Sequence, residues 1–323
     1  MKRTAFYAVA VFAAAVTSGL AAWVYEGKWG ASGSQLGQFD KPTGIGLAPN
    51  GNVYVADTYN HRVQYFTWEG HFRGNWGKSG SGDGEFRYPE GIAVATNGNV
   101  YVADTARHRI QYFTPTGSFI GKWGSQGAGD GQFERPFGIA VAPNGNVYVG
   151  DTENDRVQYF TASGSFLGKW GASGSGNGQF NRSMGVAVLP SGARVYIGDR
   201  LNFRVQYFTS SGSFLGKWGS QGSGDGQFNR PYGVATAPNA NVFVADIYNA
   251  RIQYFTPDGS FLGKWGTRGS GNGEFYYPEG VVVSANGSRV YVADTFNDRI
   301  QYFRWTEPAV APSSVGRIKA LFR

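Results

Sequence analysis

Apolar and polar residues along this chain alternate in short runs of five or six, the signature of strands and not of helices. Residues 138–170 show the pattern well. Gly138-Ile-Ala-Val-Ala142 is small and apolar throughout, as a strand covered on both faces requires. Pro143-Asn-Gly-Asn146 reads as a turn and Val147-Tyr-Val-Gly150 as a second strand. Arg156-Val-Gln-Tyr-Phe160 predicts a third. After the turn Ala162-Ser-Gly-Ser165, Phe166-Leu-Gly-Lys-Trp170 predicts a fourth, whose Gly and Lys suit an outer edge. These strands are called a, b, c and d below.

The pattern repeats. The stretch Asp57-Thr-Tyr-Asn-His-Arg-Val-Gln-Tyr-Phe66 returns from Asp104, Asp151, Asp199, Asp246 and Asp294, at intervals of 47 or 48 residues. Every copy keeps the Asp, an Arg five residues later, Val or Ile, and Gln-Tyr-Phe. A period of this size marks one supersecondary unit used repeatedly, here a four-stranded blade. One extra residue in the a–b turns Ser191–Arg194 and Asn286–Arg289 accounts for the longer intervals. The last copy stops at Glu307-Pro308 without a fourth strand, while Trp23-Val-Tyr-Glu-Gly-Lys-Trp-Gly30 is a fourth strand with no unit before it. Pairing the two closes a ring and removes two open sheet edges.

Composition agrees: 50 Gly and 16% aromatic residues in 323 suit many short strands and tight turns. The absence of Cys excludes disulfides and thiolate metal sites. The formal charge of +7 permits anionic partners without requiring them. Lys2-Arg3, an apolar run from Thr4 to Val16 and small residues up to Ala22 predict a signal peptide over 1–22, cleaved near Ala21 or Ala22. The rival reading is an uncleaved anchor, the only route to a membrane. Residues 23–305 are expected to form the ring and 306–323 a flexible tail.

With Asn60-His61-Arg62-Val63-Gln64 in the first unit, and Phe-x-x-Pro-x-Gly before strand a (Phe39 to Gly44, Phe86 to Gly91, Phe133 to Gly138), the chain resembles the NHL-repeat family. The resemblance implies an all-β, six-bladed β-propeller. It says little about function, because propellers host unrelated sites. The resembled lyases hold a catalytic metal with three His. This chain has His61, His71 and His108 alone, read as exposed turn residues, so no metal or cofactor is expected. The Asp or Asn before Gly in each d–a link (Asp83, Asp130, Asn177, Asp225, Asn272) reads as a turn residue, since calcium takes six to eight oxygens. The Asp/Arg pairs, present in every unit, read as a fold device.

Chain direction puts the b–c turns and the long d–a links on one face of the ring, so variation there is informative. The residue entering strand a reads Thr43, Glu90, Phe137, Met184, Tyr232, Glu279 around the ring. Two residues earlier the order is Lys41, Tyr88, Arg135, Arg182, Arg230, Tyr277, with Ser183 replacing Pro in the fourth unit. Three units thus carry Arg with a large apolar group, and two carry Tyr with Glu on either side of the first. The expected site is this mouth. Arg135, Arg182 and Arg230 form a basic arc over Phe137, Met184 and Tyr232, opposed by Glu90 and Glu279 with Tyr88 and Tyr277. The expected function is an exported, monomeric ligand-binding or protein-interaction module for a peptide, protein or glycan. A metal-assisted lyase or lactonase using Glu90 and Glu279 is the alternative. Nucleic-acid binding through the Arg/aromatic arc is the second alternative, disfavoured by export.

Overall fold

A strand that is apolar on both faces must lie between two neighbours, and each repeat supplies one at its inner end. The protein is described here from a computed structural model covering residues 22–307. The signal segment, its cleavage point and the tail from Pro308 lie outside the described residues. Twenty-four strands, numbered in chain order from β1 (Ala22–Trp29), form six four-stranded antiparallel sheets. Blade 1 is β2 (Pro42–Leu47), β3 (Val53–Asp57), β4 (Arg62–Phe66) and β5 (Phe72–Trp76), and blades 2–5 repeat that order. The chain is an all-β six-bladed propeller.

Blade 6 contains β22 (Pro278–Val283), β23 (Arg289–Asp294) and β24 (Arg299–Thr306), with β1 as its outermost strand. The junction is built like the others. Trp29 of β1 rests on Gly70 of blade 1 as Trp76 rests on Gly117 of blade 2. Both glycines have φ near +90°, and a Cβ on either would lie 2.6–2.7 Å from the indole. Glu26 of β1 accepts from Arg289 Nε at 2.6 Å. The body runs from Val24 to Arg304. The described residues outside it form a small unit of their own, in which the Trp23 and Trp305 rings lie 5.3 Å apart and Thr306 Oγ1 donates to Ala22 O at 3.1 Å.

The core lies between blades. Tyr54, Ala56 and Val63 of blade 1 pack against Phe86, Ile92, Val100 and Val102 of blade 2, and the layer recurs around the ring. Each fully buried Val or Phe contributes about 1.5–3 kcal/mol. Strand b is buried along its whole length in blade 1, and strand d alternates between half-buried and exposed.

The repeated polar residues clamp the d–a link onto each blade. Asp57 is fully buried and its carboxylate accepts four kinds of donor: Arg62 Nε at 2.7 Å, Asn60 Nδ2 and Gln64 Nε2 at 3.0 Å, and the Asp40 N–H at 2.8 Å. Arg62 spends its remaining donors on the Ser34, Gln35 and Gln38 carbonyls. Gln64 accepts from the Gly37 N–H and donates to Gln38 O. Burial pushes the Asp57 carboxyl upward, opposed by these donors.

Two predictions follow from this architecture. Asp151→Ala leaves Arg156 buried without its carboxylate and lowers stability by about 3–5 kcal/mol in a denaturant titration. A chain beginning at Ser32 lacks β1 and leaves β24 an open edge. It melts well below a chain that keeps β1 and aggregates on heating. Equal melting temperatures contradict closure by β1.

Candidate functional site

Strand a begins Pro-x-Gly, and the glycine decides where x stands. Gly44 lies against Glu90 O of the next blade, Gly138 against Met184 O and Gly280 against Thr43 O, contacts that leave no room for a Cβ. The six x residues therefore form one ring at the mouth of the axis. The residue before Pro is left-handed in every blade, with φ from 49° at Lys41 to 64° at Arg230. In four blades its N–H donates to a side chain of the preceding blade: Lys41 to Asp298 Oδ1 and Arg182 to Asp155 Oδ1. Tyr88 is capped by His61 Nδ1 and Arg135 by His108 Nδ1, both at 3.1 Å.

This corrects the reading of His61 and His108 as exposed turn residues. Both are half-buried, and accepting at Nδ1 puts the proton of the neutral ring on Nε2. Burial, followed by the Arg87 charge, lowers the His61 pKa. His71 stands apart in the exposed c–d turn of blade 1. Among the described residues no three His, Asp or Glu side chains converge as a metal-binding group. Three of the link residues considered for calcium are salt-bridged to the next blade's strand d: Asp83 to Lys122, Asp130 to Lys169 and Asp225 to Lys264.

Sixfold order breaks at the mouth. After its Asp, each b–c turn opens with Thr58, Thr105, Thr152, Arg200, Ile247 or Thr295. The four threonines donate to the carbonyl of the next blade's Pro or its equivalent, as Thr105 does to Pro136 O at 2.8 Å. Blade 4 puts Arg200 there instead. Its guanidinium lies 5.4 Å over the Tyr232 ring, and its Nε is buried without a hydrogen-bond partner among the described residues. Phe137, Met184, Tyr232 and Ile247 form a buried cluster. Above it, Arg135, Arg182 and Arg200 line one cavity of about 100 Å³ together with Glu90 and Tyr232. A second cavity, of about 60 Å³, lies between Ile45, Ile92, Ile139 and their counterparts.

Glu90 and Glu279 are each partly exposed at the mouth and feel one another's charge. Burial raises the Glu90 pKa to about 7, held back by the charges of Arg135 and Arg200. Burial and then Glu90 raise Glu279 to about 8, with Arg200 opposing. Burial and both carboxylates push the Tyr232 hydroxyl well above its ordinary value. Two carboxyls, a tyrosine and a guanidinium thus share one electrostatic environment, in which the carboxyls retain protons near neutrality.

The structure divides the expected basic arc. Arg135 and Arg182 line the cavity, and Arg182 also meets Glu153 at 3.3 Å. Arg230 lies instead over Tyr248, 4.6 Å from its ring, and donates to its hydroxyl. Tyr88 packs on Tyr59 and His61, and Tyr277 on Tyr248 and Phe296. Lys41 Nζ sits between Tyr59 and Phe296 at 4.8 and 5.2 Å. An aromatic row thus covers blades 2, 1, 6 and 5. Tyr59, Tyr248, Phe296 and Arg200 all lie in the b–c turns. Aligning the two residues after each Asp exposes all four.

A closed ring of six four-stranded blades defines a β-propeller, here with an irregular mouth on its loop-rich face. The NHL repeat pattern matches residues 39–66, 86–113 and 133–160, and that of a 6-bladed beta-propeller matches 232–308. This chain is an NHL-repeat six-bladed propeller. Over 50 residues, 16% of this chain, it is 44% identical to the B-box type zinc finger protein ncl-1 of Caenorhabditis elegans. The shared stretch spans 6% of that relative's length. A gluconolactonase of Xanthomonas campestris superposes with a TM-score of 0.64 at 14% identity, covering 90% of this chain and 98% of that one. Virginiamycin B lyase of Staphylococcus aureus gives 0.58 at 14% identity, covering 82% and 94%. Likeness at this identity shows a shared fold.

The carboxyl pair makes stability pH-dependent. A carboxyl whose folded pKa exceeds its unfolded value favours the fold at low pH, and that contribution is lost as pH rises through the folded pKa. Glu279→Gln removes one of the two, so the loss between about pH 5 and 8 becomes smaller. In thermal melts the variant is expected to gain about 2–4 °C over the native chain at pH 9 relative to pH 5. An unchanged difference between the two pH values contradicts the raised Glu279 pKa.

Proposed function

We propose that this chain is an exported binding module that holds a peptide, protein or glycan ligand at its loop-rich mouth. The observation that carries the reading is the broken symmetry there. On a ring whose other features recur in each blade, Glu90, Glu279, Arg135, Arg182, Arg200 and Tyr232 form one polar, partly enclosed group. Residues that repeat sixfold serve the ring, and those that differ are available to a ligand. Arg offers forked hydrogen bonds to anionic groups, and tyrosine offers a rigid face with a polar tip. Export rests on the basic and apolar N-terminal segment.

An enzyme at the same mouth is the second reading. Glu90 and Glu279, one of them protonated near neutrality, have the division of states that general acid–base chemistry uses. The two solved structures named above are a gluconolactonase and a virginiamycin B lyase. Without a converging metal-ligand set among the described residues, this reading falls on the two carboxyls themselves.

The test is a screen of immobilised protein against peptide and glycan libraries, followed by titration of the hits. Arg182→Ala and Glu279→Ala are expected to weaken binding by roughly ten- to a hundredfold, the equivalent of about 1.5–3 kcal/mol per lost charge-assisted contact. Unchanged affinity in both variants removes the site from the mouth. A steep fall of affinity with salt, together with capture of single-stranded nucleic acid, favours a polyanion instead.

A further inference from the structure

Blade 4 departs from its siblings at adjoining positions. Arg200 stands where four blades have the latching threonine, and Ser183 stands where all others have proline. The blade nevertheless keeps its clamp: Asp199 accepts from Arg204 Nε at 2.7 Å and from the Asn181 N–H at 2.9 Å. The substitution at Arg200 is therefore not a repair of the fold. It brings a guanidinium into the mouth and gives up a buried hydrogen bond between blades.

Arg200 feels the charges of Glu90 and Glu279, but its Nε forms no hydrogen bond. The guanidinium lies over the Tyr232 ring, and a buried Nε with no acceptor ordinarily has a partner in the working state. Three guanidiniums line the same cavity of about 100 Å³. Arg182 is shared with Glu153 at 3.3 Å, and Arg135 is an exposed side chain that forms no hydrogen bond to another described residue. The hydroxyls of Thr105 and Thr152, also in the lining, already donate to backbone carbonyls. The donors left unused belong to arginines, and what they lack is an acceptor.

We propose that the cavity between Arg135, Arg182 and Arg200 is a subsite for a carboxylate group, with Arg200 as its anchor. It rests on the reading of the mouth as a binding site and names the chemistry of one end of the ligand. Planar guanidinium donors fit a planar two-oxygen acceptor. Glu153 lines the same space and already takes part of the Arg182 charge, which leaves less positive charge for a doubly charged oxyanion. The volume suits a single small group, with Phe137, Met184 and Tyr232 beneath it to take the apolar atoms that follow. A peptide C-terminus and a sugar acid both present that chemistry.

The test uses the described protein and sodium acetate at constant ionic strength, read by isothermal titration and by the shift in melting temperature. Sulfate and phosphate serve as competing anions. Arg200→Thr is the informative variant, because it restores the residue found at this place in four other blades and is expected to fold with an undiminished melting temperature. Acetate should bind the native chain saturably and more tightly than sulfate or phosphate. It should bind Arg200→Thr about tenfold or more weakly, with Arg200→Lys in between because it keeps the charge and loses the fork. Absence of saturable acetate binding, equal affinity in Arg200→Thr, or a preference for sulfate or phosphate each overturns the subsite. The wider reading is judged separately by library ligands. If they still depend on Glu279 while acetate does not bind, the mouth stands and the subsite falls. If acetate binds as described but competes with no library ligand, the subsite stands and the wider reading falls.

Discussion

Everything in this ring hangs from a buried carboxylate. In each blade one Asp, wholly enclosed, collects hydrogen bonds from the Arg and Gln of strand c and from an N–H of the incoming link. In blade 2 Arg107 replaces the Asn that elsewhere adds a further bond. A buried charge is tolerated when its pairing is this complete, and removing a partner is far more damaging than the net worth of the pair. The Arg then reaches three carbonyls of the link, so a Gly-rich segment with little apolar content is fixed in place. Because the link leads into Pro-x-Gly, the clamp also sets the height at which each mouth residue enters the axis.

The glycine after the mouth residue completes the placement by admitting the neighbouring blade's carbonyl. Once backbone position is fixed sixfold, side-chain identity at the mouth is free to vary without disturbing the ring. The chain uses that freedom unevenly. Blades 6 and 2 supply carboxyls, blades 3 and 5 aromatic rings, and blade 4 a methionine beside Arg200. The result is a polar group in which each charge conditions the others. Arg200 opposes the upward shift of both carboxyls, and both carboxyls raise the Tyr232 hydroxyl.

The fold was legible because its determinants recur. Strand order, the extra residue in blades 4 and 6 and closure by the strand ending at Trp29 all follow from comparing copies. The mouth was legible in part. Glu90, Phe137, Met184 and Tyr232 were found from strand a, since Pro-x-Gly marks the position without ambiguity. Arg230 was grouped with Arg135 and Arg182 because sequence gives the residue and not its rotamer, and the Tyr248 ring that holds it comes from another turn. His61 and His108 were misjudged because a turn residue is ordinarily solvated, whereas here the next blade's left-handed residue turns its N–H onto the imidazole. Arg200 follows an Asp that serves the fold, and sequence alone does not show that the next side chain reaches the mouth.

The central claim is that the ring depends on what repeats and the site on what does not. Blade 1 shows what a mouth without charges looks like: Thr43 Oγ1 pairs with Thr58 Oγ1 at 2.7 Å and donates to Glu90 O at 3.1 Å. The direct test is the melting temperature of a triple variant, Glu90→Thr, Glu279→Thr and Arg200→Thr, which rebuilds that threonine pair in blades 2 and 6 and puts the latching threonine back into blade 4. The account predicts a folded propeller that melts at or above the native temperature at pH 8. A triple variant that fails to fold, or melts far below the native chain, contradicts it and makes the charged mouth part of the scaffold.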